Sequence, residues 1–371
     1  MLLKVSFIVH ILIQDTLPYR CAQLTRLPTA SLSHPSPLQA SRAYSIDISP
    51  HLLYCSSDIV SCLATSRLSE YLEFKALEHI VILNKDTNGE VTLNKVPSSR
   101  DDIFTSPLSL QEKRKLMKFL TFASSPQNTD DKSLEDLLSL PEYNLPPHLR
   151  EIITYAIALS PTPDLPASTA LAAINRHLRS VGIYGPFPLL VPMHGGGGEI
   201  AQAFCRSAAV KGATYILGRE IENITHRTGE FPLRVEFRDV EEMQYVNAKK
   251  VVRKAVQEEG VEVWRRVVVV LEVGEFGDGV HKEAALVVVP PRTVSEEQEM
   301  PVQVIVHGGG IGECPIGQCI SSLYDLRIGT LYSSTHQTGS KGLEQLEQAE
   351  RFILEKVSGK TNLSMPILIQ C

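Results

Sequence analysis

Several signatures that would assign a function quickly are missing from this 371-residue sequence. Its seven cysteines form no C-x-x-C pair and are odd in number, which indicates neither a zinc ribbon nor a disulfide scaffold and favours the reducing cytoplasm. The net charge of −6 speaks against a nucleic-acid binder. No fixed repeat indicates a solenoid, and no apolar run reaches the roughly 18 residues of a membrane span. What remains is an ordinary globular composition for two or three domains.

The pattern of the chain changes along its length. Residues 1–40 mix an apolar stretch with prolines, serines and basic side chains, so they are predicted to be an unrelated or disordered segment, with a targeting peptide or a misread start codon as alternatives. We expect a first part of a large domain over 41–105, a helical domain over 106–184 and a second part of the large domain over 185–371. The fold class is therefore mixed α/β, with a helical domain inserted.

The predicted elements follow from local signals. Two apolar runs, Glu78–Leu83 and Glu90–Val96, are joined through Asn88-Gly89 and predict a hairpin. A capping box of Ser109 and Glu112 predicts a helix start. Further helices are expected over 147–160, 171–181 and 341–357, and further strands over 231–238, 267–271, 284–289 and 302–306.

A glycine-rich turn joins an apolar strand to a helix over residues 189–211. Gly196, Gly198 and Ala201 satisfy the G-x-G-x-x-G/A pattern of dinucleotide sites, and Glu220 follows where a ribose-binding carboxylate would lie. One alternative is therefore an FAD- or NAD-dependent oxidoreductase that uses this turn. Four consecutive glycines satisfy such a pattern easily, however, and the fingerprint is expected near the start of a domain.

The sequence His-Gly-Gly-Gly occurs twice, at 194–197 and at 307–310. It resembles the oxyanion-hole glycines of α/β-hydrolases, but the chain has no G-x-S-x-G nucleophile elbow, and Gly317–Ser321 lacks the final glycine. Without a presented nucleophile, the simpler interpretation is two turns at which one backbone approaches another.

The helix after the glycines carries a pair of opposite charges. Glu199 and Arg206 are seven residues apart and share a face. Thr214 and Ile216 follow on an apparent strand and share a face by its period of two. A solvated charge pair is the simpler alternative. A rigid strand-to-helix corner that displays these groups would instead suit the docking of a protein.

Three parts of the chain carry specific motifs. They are Tyr-Leu-Glu-Phe-Lys at 71–75, the stretch 95–122, and Gly-Glu-Ile-Ala-Gln-Ala-Phe-Cys-Arg at 198–206 with Gly-Ala-Thr-Tyr-Ile at 212–216. These motifs resemble the superfamily of Rab escort proteins and Rab GDP-dissociation inhibitors. The stretch 95–122 resembles in particular the escort proteins, component A of Rab geranylgeranyltransferase, and the wording around 195–202 looks fungal. The resemblance runs from about residue 41 to about residue 355 in the family's order.

The resemblance implies a flavoprotein-like large mixed-sheet domain interrupted by a small all-helical domain. The family's Rab-binding platform would fall on Glu199, Arg206, Thr214 and Ile216, with isoleucine at a position often occupied by methionine. The prenyl-binding site would lie among the helices of 106–184. The resemblance implies no catalytic residue, no metal and no cofactor.

It also implies the partners. These are GDP-bound Rab GTPases, prenylated and unprenylated, the α/β heterodimer of Rab geranylgeranyltransferase, the geranylgeranyl lipid, and transient membrane contact from a cytoplasmic location, with no nucleic acid. Residues 1–40 lack the family's first strand and glycine-rich turn, and the family continues past the closing helix. We therefore expect a member truncated at both ends.

Overall fold

The computed structural model describes residues 45, 47, 50–77, 79–85, 89–97, 100–125, 132–216, 220–238, 244–252, 264–269, 284–313, 328–337, 339–358 and 367–370. The segment 1–40 and the sequence 317–321 lie outside these residues. The described chain divides into two compact units, one between Ile200 and Val261 and a larger one holding the remaining residues. Among the described residues, no helix is long and apolar enough to cross a membrane.

Thirteen strands and eight α-helices are found in the described residues. The strands are β1 Leu53–Tyr54, β2 Phe74–Leu77, β3 His79–Lys85, β4 Val91–Lys95, β5 Leu189–Pro192, β6 Glu220–His226, β7 Leu233–Arg238, β8 Gln244–Ala248, β9 Trp264–Val269, β10 Ala284–Val289, β11 Val302–Gly308, β12 Ile328–Thr335 and β13 Ile367–Gln370. The helices are α1 Asp58–Thr65, α2 Arg100–Thr105, α3 Leu110–Ala123, α4 Leu134–Ser139, α5 Pro147–Glu151, α6 Ala167–Ser180, α7 Gly197–Val210 and α8 Gly339–Ser358.

The larger unit is built on a seven-stranded mixed sheet in the order β13-β9-β12-β11-β10-β3-β4. Strands β3 and β10 are parallel, with His79 opposite Ala285, and the other neighbours are antiparallel. All six residues of β10 are buried, because one face of the sheet packs against the helical block and the other against α8. Coverage on both faces explains the uninterrupted apolar run of this strand.

The predicted hairpin is confirmed. Strands β3 and β4 pair antiparallel, with Leu83 opposite Leu93. Gly89, at the end of the connection, has φ +85°, a left-handed conformation that glycine adopts without steric cost. The left-handed glycine that the sequence places between the two strands therefore lies in the connection, as predicted.

Helices α3 to α6 form a block whose core is continuous with one face of the seven-stranded sheet. The predicted capping box is confirmed, since the Glu112 amide donates to Ser109 Oγ at 3.3 Å and the Ser109 amide donates to Glu112 Oε2 at 2.8 Å. Phe119 is fully buried and meets the Tyr143 ring edge-on at 5.4 Å between centroids. Aromatic packing of this kind ties α3 to the loop after α4.

The helix predicted over 147–160 is only partly regular. After α5 the chain continues as a π-helix over Ile152–Ile157, and Leu159 then turns away with φ +52°. All six π-helical residues are buried, because this turn contacts both β3 and α6. A wider turn accommodates apolar side chains on every side, which a 3.6-residue pattern does not indicate.

Two smaller sheets complete the fold. Strands β1-β5-β2 form one in the larger unit, and β6-β7-β8 form the other in the smaller unit. The half-buried strand predicted over 231–238 is confirmed as β7, with Val235 and Phe237 buried.

The prediction of a strand around Thr214 and Ile216 is wrong. Residues 213–216 pair with no strand among the described residues. Gly212 closes α7 with φ +89°, and its amide donates to the Ala209 carbonyl. The Tyr215 hydroxyl donates to the Cys205 carbonyl at 3.0 Å, which holds this segment back along the helix.

Candidate functional site

The glycine corner, residues 194–197 between β5 and α7, is shaped by left-handed backbone. His194, Gly195 and Gly196 have φ of +59°, +121° and +62°, so the chain reverses within three residues. The His194 amide donates to the Ile311 carbonyl at 3.0 Å. A side chain at Gly312 would overlap the His194 ring, with Cε1 at 2.7 Å. The two His-Gly-Gly-Gly stretches are therefore neighbours, and the prediction of close backbone approach is confirmed.

A carboxylate fills the start of the helix that follows. The Gly197 amide donates to Asp47 Oδ2 at 2.8 Å, and Asp47 is only 8% exposed. Helix N-termini attract anions through their free amides and dipole, and in dinucleotide folds the pyrophosphate lies there. Because the protein's own carboxylate holds this position, the Gly196-x-Gly198-x-x-Ala201 turn is closed to a cofactor phosphate. The oxidoreductase alternative is not favoured.

The four predicted platform residues are all accessible. Arg206 and Thr214 are exposed, while Glu199 and Ile216 are half-buried. Glu199 and Arg206 lie on α7 at the predicted spacing, and Thr214 and Ile216 flank the anchored Tyr215. We call these four residues the platform. Its binding role stays a prediction, and two of its residues, Thr214 and Ile216, lie on an irregular segment and not on a strand.

Glu199 has an unusual electrostatic environment for a surface-directed carboxylate. Burial raises its pKa, and the neighbouring His194 acts in the opposite direction. His194 Nε2 in turn lies 3.5 Å from Glu73 Oε2. A partly desolvated carboxylate costs stability and is characteristic of residues kept for binding.

The helical block lines most of a partly open, mostly apolar cavity of about 440 Å³. Its lining comes from α2, α3, α6, the π-helix and the connecting segments. The lining residues are Pro97, Ile103, Met117, Leu120, Thr121, Ser124, Ser125, Ile157, His177, Leu178 and Val181. Thr121 and Ser124 donate their hydroxyls to carbonyls of their own helix at 2.8 Å, so these two polar groups are already satisfied.

His177 is the exception in this wall. It is 2% exposed, it meets the Tyr54 ring edge-on, and its Nδ1 has no hydrogen-bond partner among the described residues. Burial lowers the pKa of His177 to about 4, so the imidazole is neutral at physiological pH. A neutral wall suits an uncharged, apolar ligand.

Sequence reasoning missed both Asp47 and His177. His177 had a local signal, because it follows Ile174 by three residues on the apolar face of α6. Asp47 had none, since its partner Gly197 is 150 residues away in the chain.

Known structures and sequences support the family resemblance. The fold is shared with the crystal structure of Rab GDI from Plasmodium falciparum, at a TM-score of 0.69 and 15% identity, over 96% of this chain and 80% of that one. The family model for GDP dissociation inhibitor matches residues 22–307. The chain belongs to the GDP dissociation inhibitor family, which confirms the resemblance and the mixed-sheet fold class.

Its curated relatives include Rab proteins geranylgeranyltransferase component A of Candida albicans, 33% identical over 76% of this chain and 46% of the relative. The protein of the same name from Saccharomyces cerevisiae is 31% identical over 87% of this chain and 54% of the relative. The Drosophila melanogaster counterpart is 35% identical over 52% of this chain. The chain spans about half the length of the curated relatives it matches.

The environment of Glu199 predicts a gain in stability when its charge is removed. A carboxyl whose pKa is raised on folding loses stability as the pH rises through that pKa, so Glu199→Gln should raise the melting temperature slightly at neutral pH. Thermal unfolding followed by circular dichroism measures this change. A lower melting temperature would indicate that Glu199 is structural.

The neutral His177 predicts a pH-dependent stability. Its pKa is lower in the folded protein than in the unfolded chain. Its contribution to the free energy of unfolding is therefore complete above the unfolded-state pKa of about 6.5 and is lost as the pH falls towards about 4. The loss amounts to about 3 kcal/mol, and His177→Leu should remove it from urea unfolding curves recorded across this window. The exposed His51→Leu is the control and should retain the full slope. A slope unchanged in His177→Leu would contradict the assignment.

Proposed function

We propose that this chain is a Rab escort chaperone. It binds GDP-bound Rab GTPases, presents them to the α/β heterodimer of Rab geranylgeranyltransferase and carries the prenylated product to membranes. The observation that carries the proposal is the combination of family membership with two chemically different sites, an accessible polar platform and a separate apolar cavity. In this role the chain is a non-catalytic accessory component that works from the cytoplasm and contacts membranes transiently.

The platform supplies recognition. Glu199 and Arg206 present opposite charges one above the other on α7, and Thr214 and Ile216 add a hydroxyl and an apolar contact. Paired charges set the orientation and choice of a partner more than they set its raw affinity. We assign this surface to the protein part of the Rab GTPase.

We assign the cavity to the binding of lipid. The helical block, 106–184, is then the prenyl-binding domain. Each buried methylene contributes about 0.8 kcal/mol, and two prenyl chains anchor a protein to a bilayer stably. A carrier must therefore offer comparable apolar cover. A volume of about 440 Å³ falls within the roughly 300–1,000 Å³ of small-molecule pockets.

Reversing the charge of Arg206 tests the platform. Arg206→Glu should weaken binding of unprenylated, GDP-loaded Rab by about 2 kcal/mol, roughly thirtyfold in Kd, because it reverses the charge that we assign to Rab recognition on the Glu199 face of α7. Since Arg206 is exposed, the melting temperature should change little. Arg227→Glu, also exposed and in the same unit, is the matched control and should bind normally. Equal loss in both variants would refute the assignment of the platform.

Filling the cavity tests the lipid assignment. Met117 lines the cavity, whereas Leu110 on the same helix is 73% exposed. Met117→Trp should reduce binding of a fluorescent geranylgeranyl-cysteine probe at least tenfold, since the indole occupies the space of the chain. Leu110→Trp should bind the probe normally, and both variants should still bind unprenylated Rab. Normal probe binding by Met117→Trp would place the lipid elsewhere.

A further inference from the structure

Asp47 and Gly196 are fitted to each other at the start of α7. A side chain at Gly196 would overlap the Asp47 carboxylate, with Cγ at 3.0 Å and Cβ at 3.1 Å. Gly196 also has φ +62°, a conformation that L side chains rarely adopt. Only glycine meets both requirements, so the glycine makes room for an internal carboxylate.

The first turn of α7 is satisfied from within the protein. A helix leaves its first amides without intrahelical partners. Here the Gly197 amide donates to Asp47, the Gly198 amide to the Gly195 carbonyl at 3.2 Å, and the Glu199 amide to the Gly196 carbonyl at 3.2 Å. Glu199 is thus held by the same glycine that contacts Asp47.

The segment that carries Asp47 is bonded to Glu313, three residues after the second His-Gly-Gly-Gly stretch. Two residues before Asp47, the Ser45 amide donates to the Glu313 carbonyl at 2.9 Å. The Glu313 carboxylate lies 3.0 Å from His307 Nδ1, and both side chains are at most 4% exposed. Because both side chains are buried, Glu313 lies within the core of the protein, and its backbone carbonyl links the Asp47 segment to this region.

We propose that Asp47 is a built-in anion that replaces a cofactor phosphate at the N-terminus of α7 and thereby positions Glu199 for binding a Rab GTPase. The positioning role rests on the proposed function, whereas the anion role does not. Asp47 touches no ligand in this scheme. It acts through the first turn of the helix and is a positioning residue.

A double-mutant cycle tests the positioning role. Asp47→Asn keeps the size of the side chain but removes its charge, and it should weaken binding of GDP-loaded Rab about tenfold. In a Glu199→Gln background, Asp47→Asn should weaken binding less than twofold, because the residue that it positions has already been disabled. Equal losses in both backgrounds would overturn the positioning role. Asp136→Asn, which alters the capping box of α4, is the matched control and should leave Rab affinity unchanged.

Chemical rescue tests the anion role. Asp47→Ala should open a site for inorganic pyrophosphate, detected by calorimetry, whereas the unmodified protein and Asp47→Asn should bind none. Pyrophosphate at millimolar concentration should restore most of the lost Rab affinity to Asp47→Ala, and sodium chloride of equal ionic strength should not. If a folded Asp47→Ala variant binds no pyrophosphate, the anion role is wrong.

The two proposals fail in distinguishable ways. If the folded, unmodified protein binds no Rab, the escort function fails, and pyrophosphate binding by Asp47→Ala still decides the anion role. If Asp47→Ala does not fold, as judged by circular dichroism, Gly196→Ala replaces it. This variant should expel the carboxylate and weaken Rab binding about tenfold, and normal Rab binding by folded Gly196→Ala would overturn the proposal.

Discussion

The hydrogen bond from the Gly197 amide, at the start of α7, to the buried Asp47 carboxylate ties the glycine corner to a residue 150 positions earlier in the chain. The same carboxylate leaves no room for a side chain at position 196, where the backbone is also left-handed. The helix N-terminus of a turn that resembles a dinucleotide fingerprint thus holds a carboxylate of the protein itself. The favourable electrostatics of this terminus are used internally.

The molecule uses polar and apolar surfaces for separate tasks. The Glu199 carboxylate is partly desolvated, and the buried His177 imidazole has an Nδ1 atom without a hydrogen-bond partner among the described residues. Both arrangements cost folding free energy, which the broad core beneath the seven-stranded sheet offsets. Groups that a purely structural protein would replace therefore persist where ligands are expected to bind.

Local signals predicted much of the fold. The capping box at Ser109 and the β3–β4 hairpin could be predicted because a few neighbouring residues determine each of them. The buried strand β10 was readable because both of its faces are covered. The family resemblance, carried by short motifs, indicated the family and its mixed-sheet fold class.

What sequence reasoning could not supply depends on distant contacts. Residues 213–216 are irregular, and the Tyr215 hydroxyl bonds back to α7. Their alternating side chains resemble a strand in the sequence, because the pattern does not reveal this contact. The π-helical turn after Glu151 depends on burial from two sides. The partner of Gly197 is remote in the chain, so no window of sequence contains the pair.

The parallel pairing of β3 with β10 has a consequence for synthesis of the chain. β10 emerges from the ribosome roughly 200 residues after β3, a delay on the order of tens of seconds at typical translation rates. Until then the hairpin of β3 and β4 has an open edge, and open edges invite pairing with other chains. The intervening helices can cover a face of that hairpin but not its edge, so the edge of β3 stays available for pairing with other chains until β10 is made.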